Sequence, residues 1–270
     1  MMSIKFEDAV IKDLTGIGRY SFSRLSTYHT CQYQYNEHYN NRKNGVGNTF
    51  ASYGTMAHAI LEEFSRKELE KEDLAKEYKE RFEKECGDGI SMSIPKKDGG
   101  FFEKDLTDLY YNSGLAYFED FNGWDDMEVL GIEEHFDILL KHNDVNFIFN
   151  GFIDLVTEKD NCLYVIDHKS KGKFKSKKEQ AKYRRQLALY AIYAEHKWQK
   201  EVKEVWFNQF RINTTMKYEL TDKIVKEALD WASDTVKDIE SEVMWLPNTS
   251  DAFYCKNLCD LRNECPYSKQ

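Results

Sequence analysis

The sequence predicts a mixed α/β fold: a small sheet flanked by helices, with a helical insertion ahead of the sheet. Three observations predict it. Apolar residues recur at helical spacing between Ala57 and Tyr117, three strand-like segments rich in Val, Ile, Phe and Leu follow between Glu128 and His168, and helical spacing then returns. The chain has 270 residues, 41% hydrophobic and 31% charged, with 3 Pro and 14 Gly, which is enough to bury a core and excludes collagen-like or disordered chains. We read one domain over 1–270, with the helical insertion at 59–127.

Taken in order, Ala57, Ile60, Leu61 and Phe64 mark a first helix, and Leu74, Tyr78 and Phe82 a second after a charged break. Glycines and a proline between Gly87 and Gly100 read as a loop, and Leu106, Leu109, Tyr110, Ser113 and Tyr117 as a third helix. Glu128–Leu140, Val145–Thr157 and Cys162–His168 are then expected to form an antiparallel meander, punctuated by His142-Asn143-Asp144 and Glu158-Lys159-Asp160-Asn161. A helix with Leu187, Ala191, Ala194 and Trp198 on one face follows, then a strand around Val202–Ile212. The last is a helix from Thr221 whose apolar side runs from Val225 to Ile239.

The longest unbroken apolar run, Leu187–Ala194, is far short of the roughly 18–20 residues needed to span a bilayer. Glu7, Asp8 and Asp13 do not suit a secretory signal, so a cytoplasmic protein is expected. Six cysteines in a reducing compartment read as metal ligands, catalytic groups or core thiols rather than disulfides. Net charge is −9, from 38 Lys and Arg against 47 Asp and Glu, yet the stretch Lys169–Arg185 holds nine cations and one acid, Glu179. Such runs are usually solvated faces.

The chemistry concentrates in residues 151–170, GFIDLVTEKDNCLYVIDHKS. With Glu158–Asn161 as the turn, Thr157 faces Cys162 and Asp154 sits opposite Val165. Strand alternation then puts Asp154, Asp167 and Lys169 on one side and His168 on the other. Any even turn keeps that parity. Two carboxylates converging among apolar neighbours repel each other unless a cation lies between them. Mg²⁺ or Mn²⁺, which take oxygen ligands, are the natural candidates, with Lys169 placed to orient or deprotonate a water or to stabilise phosphate charge. A surface pair at a strand end is the bland alternative.

GFIDLV, VIDHKS and QLALY at 186–190 together resemble the RecB-like branch of the PD-(D/E)xK nucleases, whose motifs read G-x-I-D, hydrophobic-D-x-K and Q-x-x-x-Y. The resemblance implies a restriction-endonuclease-like core. It also implies a metal site built from Asp154, Asp167 and the carbonyl of His168, with Lys169 serving the nucleophilic water and Gln186 and Tyr190 contacting DNA or ordering the site. Gly54-Thr-Met-Ala-His58 is similar to the family segment whose histidine is a further metal ligand. Glu62 is unassigned, and Glu134 or, equally, Glu133 matches an acid that relatives carry. The basic run then adjoins the catalytic lysine, which makes Lys171, Lys173, Lys175, Arg184 and Arg185 candidate phosphate contacts.

Cys255, Cys259 and Cys265, with Cys31 far upstream, resemble the arrangement by which AddB-like proteins and CRISPR-associated adaptation exonucleases hold a 4Fe-4S cluster. Gln32 after the first cysteine and the C-x3-C spacing depart from the commoner pattern. Zinc and unliganded thiols are the alternatives at this four-cysteine site, of which 255–265 forms the C-terminal part. Cys86 and Cys162 read as ordinary thiols. The resemblance implies a metal-dependent DNA exonuclease on single strands or duplex ends, in recombination, repair or CRISPR-like processing. Its expected partners are DNA and a helicase or other recombination or adaptation proteins. A non-catalytic nucleic-acid-binding or scaffold subunit is the alternative, against which Asp154, Asp167 and Lys169 are all intact; nothing marks the recognition domain of a sequence-specific restriction enzyme.

Overall fold

A computed structural model describes residues 16–124, 126–174 and 176–267. Lys175 and the acidic residues Glu7, Asp8 and Asp13 lie outside them. In chain order the elements are β1 (Arg19–Ser21), α1 (Phe22–Thr30), α2 (Gln32–Tyr35), α3 (Thr49–Ser65), α4 (Leu74–Cys86), β2 (Ser91–Pro95), β3 (Phe101–Asp105) and α5 (Thr107–Asp120). There follow β4 (Glu128–His142), β5 (Val145–Lys159), β6 (Cys162–His168), α6 (Lys177–Trp198), β7 (Val202–Gln209), β8 (Thr214–Glu219) and α7 (Asp222–Ser241).

β4, β5 and β6 form the expected antiparallel meander inside a six-stranded mixed sheet, which runs β1-β5-β6-β7-β8 with β4 also paired to β5. β4 accompanies β5 from Val145 to Glu158, so the other edge of β5 is shared. There β1 runs parallel to Ile148–Asn150, and β6 takes over antiparallel from Leu155. Residues 151–154, the GFID segment, occupy the interval in which one neighbour has ended and the next has not begun.

The β5–β6 register differs from the sequence reading. Asp160 and Asn161 take φ of +52° and +61°, which suits a two-residue hairpin turn, so Glu158 and Lys159 stay in the strand and Lys159 pairs with Cys162. Thr157 therefore faces Tyr164 rather than Cys162. One step beyond the Leu155–Ile166 pair, Asp154 comes level with Asp167 instead of Val165. The shift is two residues, so the shared face survives.

The segment read as a loop between Gly87 and Gly100 contains β2, which pairs with β3 across a turn at 96–100. The strand expected to reach Ile212 ends at Gln209, a 3-10 turn covers Phe210–Ile212, and β8 follows. β1, α1 and β8 carried no signal strong enough to be placed from sequence.

The main core lies between one sheet face and α1, α6 and α7, with Phe147, Phe149, Leu187, Ala191 and Val236 among its buried members. A second core joins α3, α4 and α5 through Tyr53, Ile60, Tyr78, Phe82 and Phe118, and Phe210 seats it against the sheet. This helical lobe therefore rests on the end of the sheet at which β5 changes neighbour. Among the described residues no helix is long and apolar enough to cross a membrane.

Candidate active site

Where β5 and β6 begin to pair, the Asp154 carboxylate reaches across. Its Oδ2 accepts the His168 backbone N–H at 2.6 Å, fixing the carboxyl by the strand that carries Asp167. Asp167 is buried, and its Oδ1 accepts from Lys169 Nζ at 2.9 Å. Its Oδ2 lies 2.7 Å from the same nitrogen without hydrogen-bond geometry and has no hydrogen-bond partner among the described residues. Lys169 also donates to Gln186 Oε1 at 3.3 Å, and Gln186 Nε2 donates to the Tyr190 hydroxyl at 3.0 Å. The second and third motifs thus close into one chain of contacts from Asp167 to Tyr190, and Asp154 joins them through the His168 N–H.

α6 carries Gln186 and Tyr190 one turn apart, and Ser176 caps its start by accepting the Glu179 N–H at 3.1 Å. Gly151 explains why the first motif opens with glycine. A Cβ there would lie 3.3 Å from Tyr190 and from Phe136, so a side chain would press on the residue that orders Gln186.

α3 supplies His58. Asn48 caps this helix, and a Cβ on Gly54 would lie 3.3 Å from Ser170 Oγ, so the turn before His58 packs closely against the residue after Lys169. His58 Nδ1 then stands 3.6 Å from Asp154 Oδ2. Glu133 completes the group: ligand atoms of His58, Glu133 and Asp154 all lie within 4.8 Å of one another. Its φ of +46°, a left-handed backbone within a long strand, marks the local distortion at which this carboxyl joins the cluster. Glu134, the other acid weighed from sequence, instead accepts from Tyr193 at 2.8 Å and pairs with Lys197. The missed signal was conformational, since nothing in the strand pattern announces a left-handed glutamate.

Electrostatics match this crowding. Burial, then Asp167, raises the Asp154 carboxyl far above its ordinary range, and burial, then Asp154 and Glu62, pushes Glu133 up to about 7. Burial pulls Lys169 down, but Asp167 and Asp154 more than offset it and hold it as an ammonium. Burial lowers His58. Two carboxyls that resist ionisation, a neutral imidazole and an incompletely satisfied Asp167 oxygen make a donor set that a hard divalent cation would satisfy. The His168 ring packs edge-on against His58 at 5.6 Å, stacks on Trp124 at 5.8 Å and lies 3.0 Å from Asn208, and burial keeps it well below its ordinary pKa.

The basic run is divided. Lys171 lies over Tyr183 and pairs with Glu179 at 2.7 Å, and Lys173 is exposed. Arg184 lies over Tyr218 of β8 and Arg185 over Trp231 of α7, so α6 turns both away from the Gln186 face. The expected single strip beside the lysine is therefore shorter than the sequence suggested.

In a separate cluster, Cys31, Cys255, Cys259 and Cys265 line one small cavity with Tyr254 and Leu261. Cys31 occupies the break between α1 and α2. Gln34 donates to Asp260 at 2.7 Å and accepts from Tyr254 at 2.9 Å, tying the two chain segments together. Burial raises the Cys255 thiol and pushes Cys259 up to about 11, and all four are free of disulfides.

The model of a family described as the PD-(D/E)XK nuclease superfamily matches residues 19–267. No curated protein sequence matches the chain. Similar solved structures include a crystal structure from Eubacterium rectale, provisionally described as an exonuclease. It is 12% identical, with 93% of this chain and 89% of that one covered and a TM-score of 0.49. The crystal structure of SSO0001 is also 12% identical, with 94% and 88% covered and a TM-score of 0.38.

Proposed function

The chain belongs to the PD-(D/E)XK nuclease superfamily, and from that premise we propose that it is a metal-dependent DNA exonuclease of the RecB-like kind, acting on single strands or duplex ends. The observation that carries this reading is the closed set Asp154, Asp167, Lys169, Gln186 and Tyr190 beside His58 and Glu133. Asp154, Asp167, Glu133, His58 and the His168 carbonyl would hold Mg²⁺ or Mn²⁺. A bound ion of this kind polarises the phosphate and lowers the pKa of its water. Lys169, kept protonated by two carboxylates, donates toward the phosphate oxygens or orients the water as the new P–O bond forms and the bond to the leaving sugar oxygen breaks. Gln186 and Tyr190 hold Lys169 in place. The helical lobe packed on α3 beside His58 suits a channel for a strand end.

The four cysteines form the second part of the proposal. Soft thiol donors in one small cavity suit a 4Fe-4S cluster, with zinc as the competing occupant. Its role is to staple residues around Cys31 to those around Cys259. Broad absorbance near about 400 nm in anaerobically purified protein is expected, and a colourless zinc protein would overturn the cluster.

End-labelled single- and double-stranded DNA incubated with Mg²⁺, Mn²⁺ or EDTA tests the nuclease. Metal-dependent shortening from the ends, lost in Asp167→Ala and Lys169→Ala, is the expected result. Wild-type protein that binds DNA and cuts nothing with either metal would overturn it in favour of a binding subunit.

A further inference from the structure

Beyond the residues of the family motifs, the loop that leaves Lys169 packs on a cation, Arg211, with which no acid pairs among the described residues. β6 and β7 run parallel with His168 level with Asn208, and Lys169 N–H donates to the Asn208 carbonyl at 2.8 Å. The chain leaving Lys169 therefore travels beside the chain leaving Asn208. Gln209 Nε2 donates to the Gly172 carbonyl at 2.9 Å and holds this loop from below. Arg211 sits under the same glycine: a Cβ on Gly172 would fall 2.3 Å from its Nη2, so no other residue fits there without moving the guanidinium. Its Cζ lies 4.6 Å from the centre of the Tyr110 ring. Arg211 Nε and Gln209 Oε1 are both buried without a hydrogen-bond partner among the described residues.

Lys169 has Asp167 and Lys171 has Glu179, whereas among the described residues no carboxylate pairs with Arg211. A half-buried guanidinium held between a ring and a backbone, with no counter-charge among the described residues, is arranged for an anion from outside the chain. Gly172 lies three residues from Lys169, which extended chain spans in at most about 10 Å. We propose that Arg211, seated under Gly172, binds a backbone phosphate of the DNA strand next to the one being cut. This rests on the nuclease reading and adds a grip that the basic run did not include.

The test is fluorescence-anisotropy binding of a labelled single-stranded oligonucleotide in EDTA, across NaCl from about 50 to 200 mM. Arg211→Gln should bind roughly tenfold more weakly and lower the magnitude of the salt slope by about 0.7, the loss of one phosphate contact on a single strand. Arg211→Lys should keep most of the slope. Gly172→Ala, which leaves the charge count unchanged while displacing the guanidinium, should weaken binding in the same direction and decides the matter if Arg211→Gln fails to fold. Wild-type slope and affinity in a folded Arg211→Gln, or in Gly172→Ala where Arg211→Gln does not fold, would overturn the proposal and reduce Arg211 to a packing residue on Tyr110. Wild-type protein that neither binds nor cuts DNA would instead overturn the nuclease reading itself, and this proposal with it.

Discussion

The cleft and the cysteine corner are both assembled from distant parts of the chain, yet their polar groups are held in opposite ways. In the cleft the acids are locked to other polar atoms, Asp154 to the His168 N–H and Asp167 to Lys169, and charge is crowded there despite burial. In the corner the thiols line a small cavity, and burial keeps Cys255 and Cys259 protonated. The difference teaches that a bound cation would have a separate task at each of the two sites. At the acidic site it would relieve repulsion within a preformed cluster, whereas at the cysteines it would have to displace protons and would supply cohesion that the thiols do not give each other.

Exchanging the damage tests that contrast with the largest effects. Asp154→Asn should lower the nuclease rate by at least about 10²-fold while its melting temperature holds or rises, because a repelled buried carboxyl is gone. Cys259→Ser should instead melt roughly 5 °C lower, as about 3 kcal/mol would give in a chain of this size, with the rate per folded molecule largely kept. Rates and melting curves on both proteins check this. Equal losses of rate and stability in both variants would erase the distinction.

Acid titration sharpens it further. Glu133 has an ordinary pKa of 4.5 and one of about 7 in the folded protein, so between those values the folded state binds more protons than the unfolded one. Stability in EDTA should therefore fall as pH rises from about 4.5 to about 7 and level off for this group above that, by 2–3 kcal/mol at the outside and less where solvent reaches it. Asp154 contributes with the same sign. Glu133→Gln should flatten the dependence, and Mg²⁺ at pH 8 should restore stability to wild type. Melting curves across pH, with and without metal, read both effects.

The smallest expected effect concerns Gly151. Gly151→Ala should cost about 1 kcal/mol, seen as a melting point about 2 °C lower, and slow cutting a few-fold through Tyr190 and Gln186. A melting temperature and rate at wild-type values would show that the 3.3 Å approach relaxes freely.

Much of the cleft was legible because it is local. Residues 151–190 contain both acids, the lysine and the helical pair, and strand parity survives a two-residue error in register, as the Asp160-Asn161 turn demonstrates. His58 could be reached through a motif, and it stands 3.6 Å from Asp154. Glu133 could not be chosen over Glu134, because its entry depends on a backbone angle. The direction of Arg184 and Arg185 depends on the packing of α6 against β8 and α7, which a charge run does not encode. Arg211 was missed because its meaning comes from a glycine 39 positions away.

The change of neighbour along β5 also carries a consequence for timing. β5 and β6 are joined by a two-residue turn, and hairpins of this kind close in roughly 1–10 μs. Asn150 instead waits for Ser21, 129 positions upstream, a contact whose loop-closure cost is met late. Asp154 and Asp167 can therefore be brought level early, while β1 is added by one of the most distant pairings in the sheet and His58 comes from α3, 96 positions before Asp154. Cutting competence should appear after most of the sheet has formed, so a half-folded chain would hold its two acids together and still be harmless to DNA.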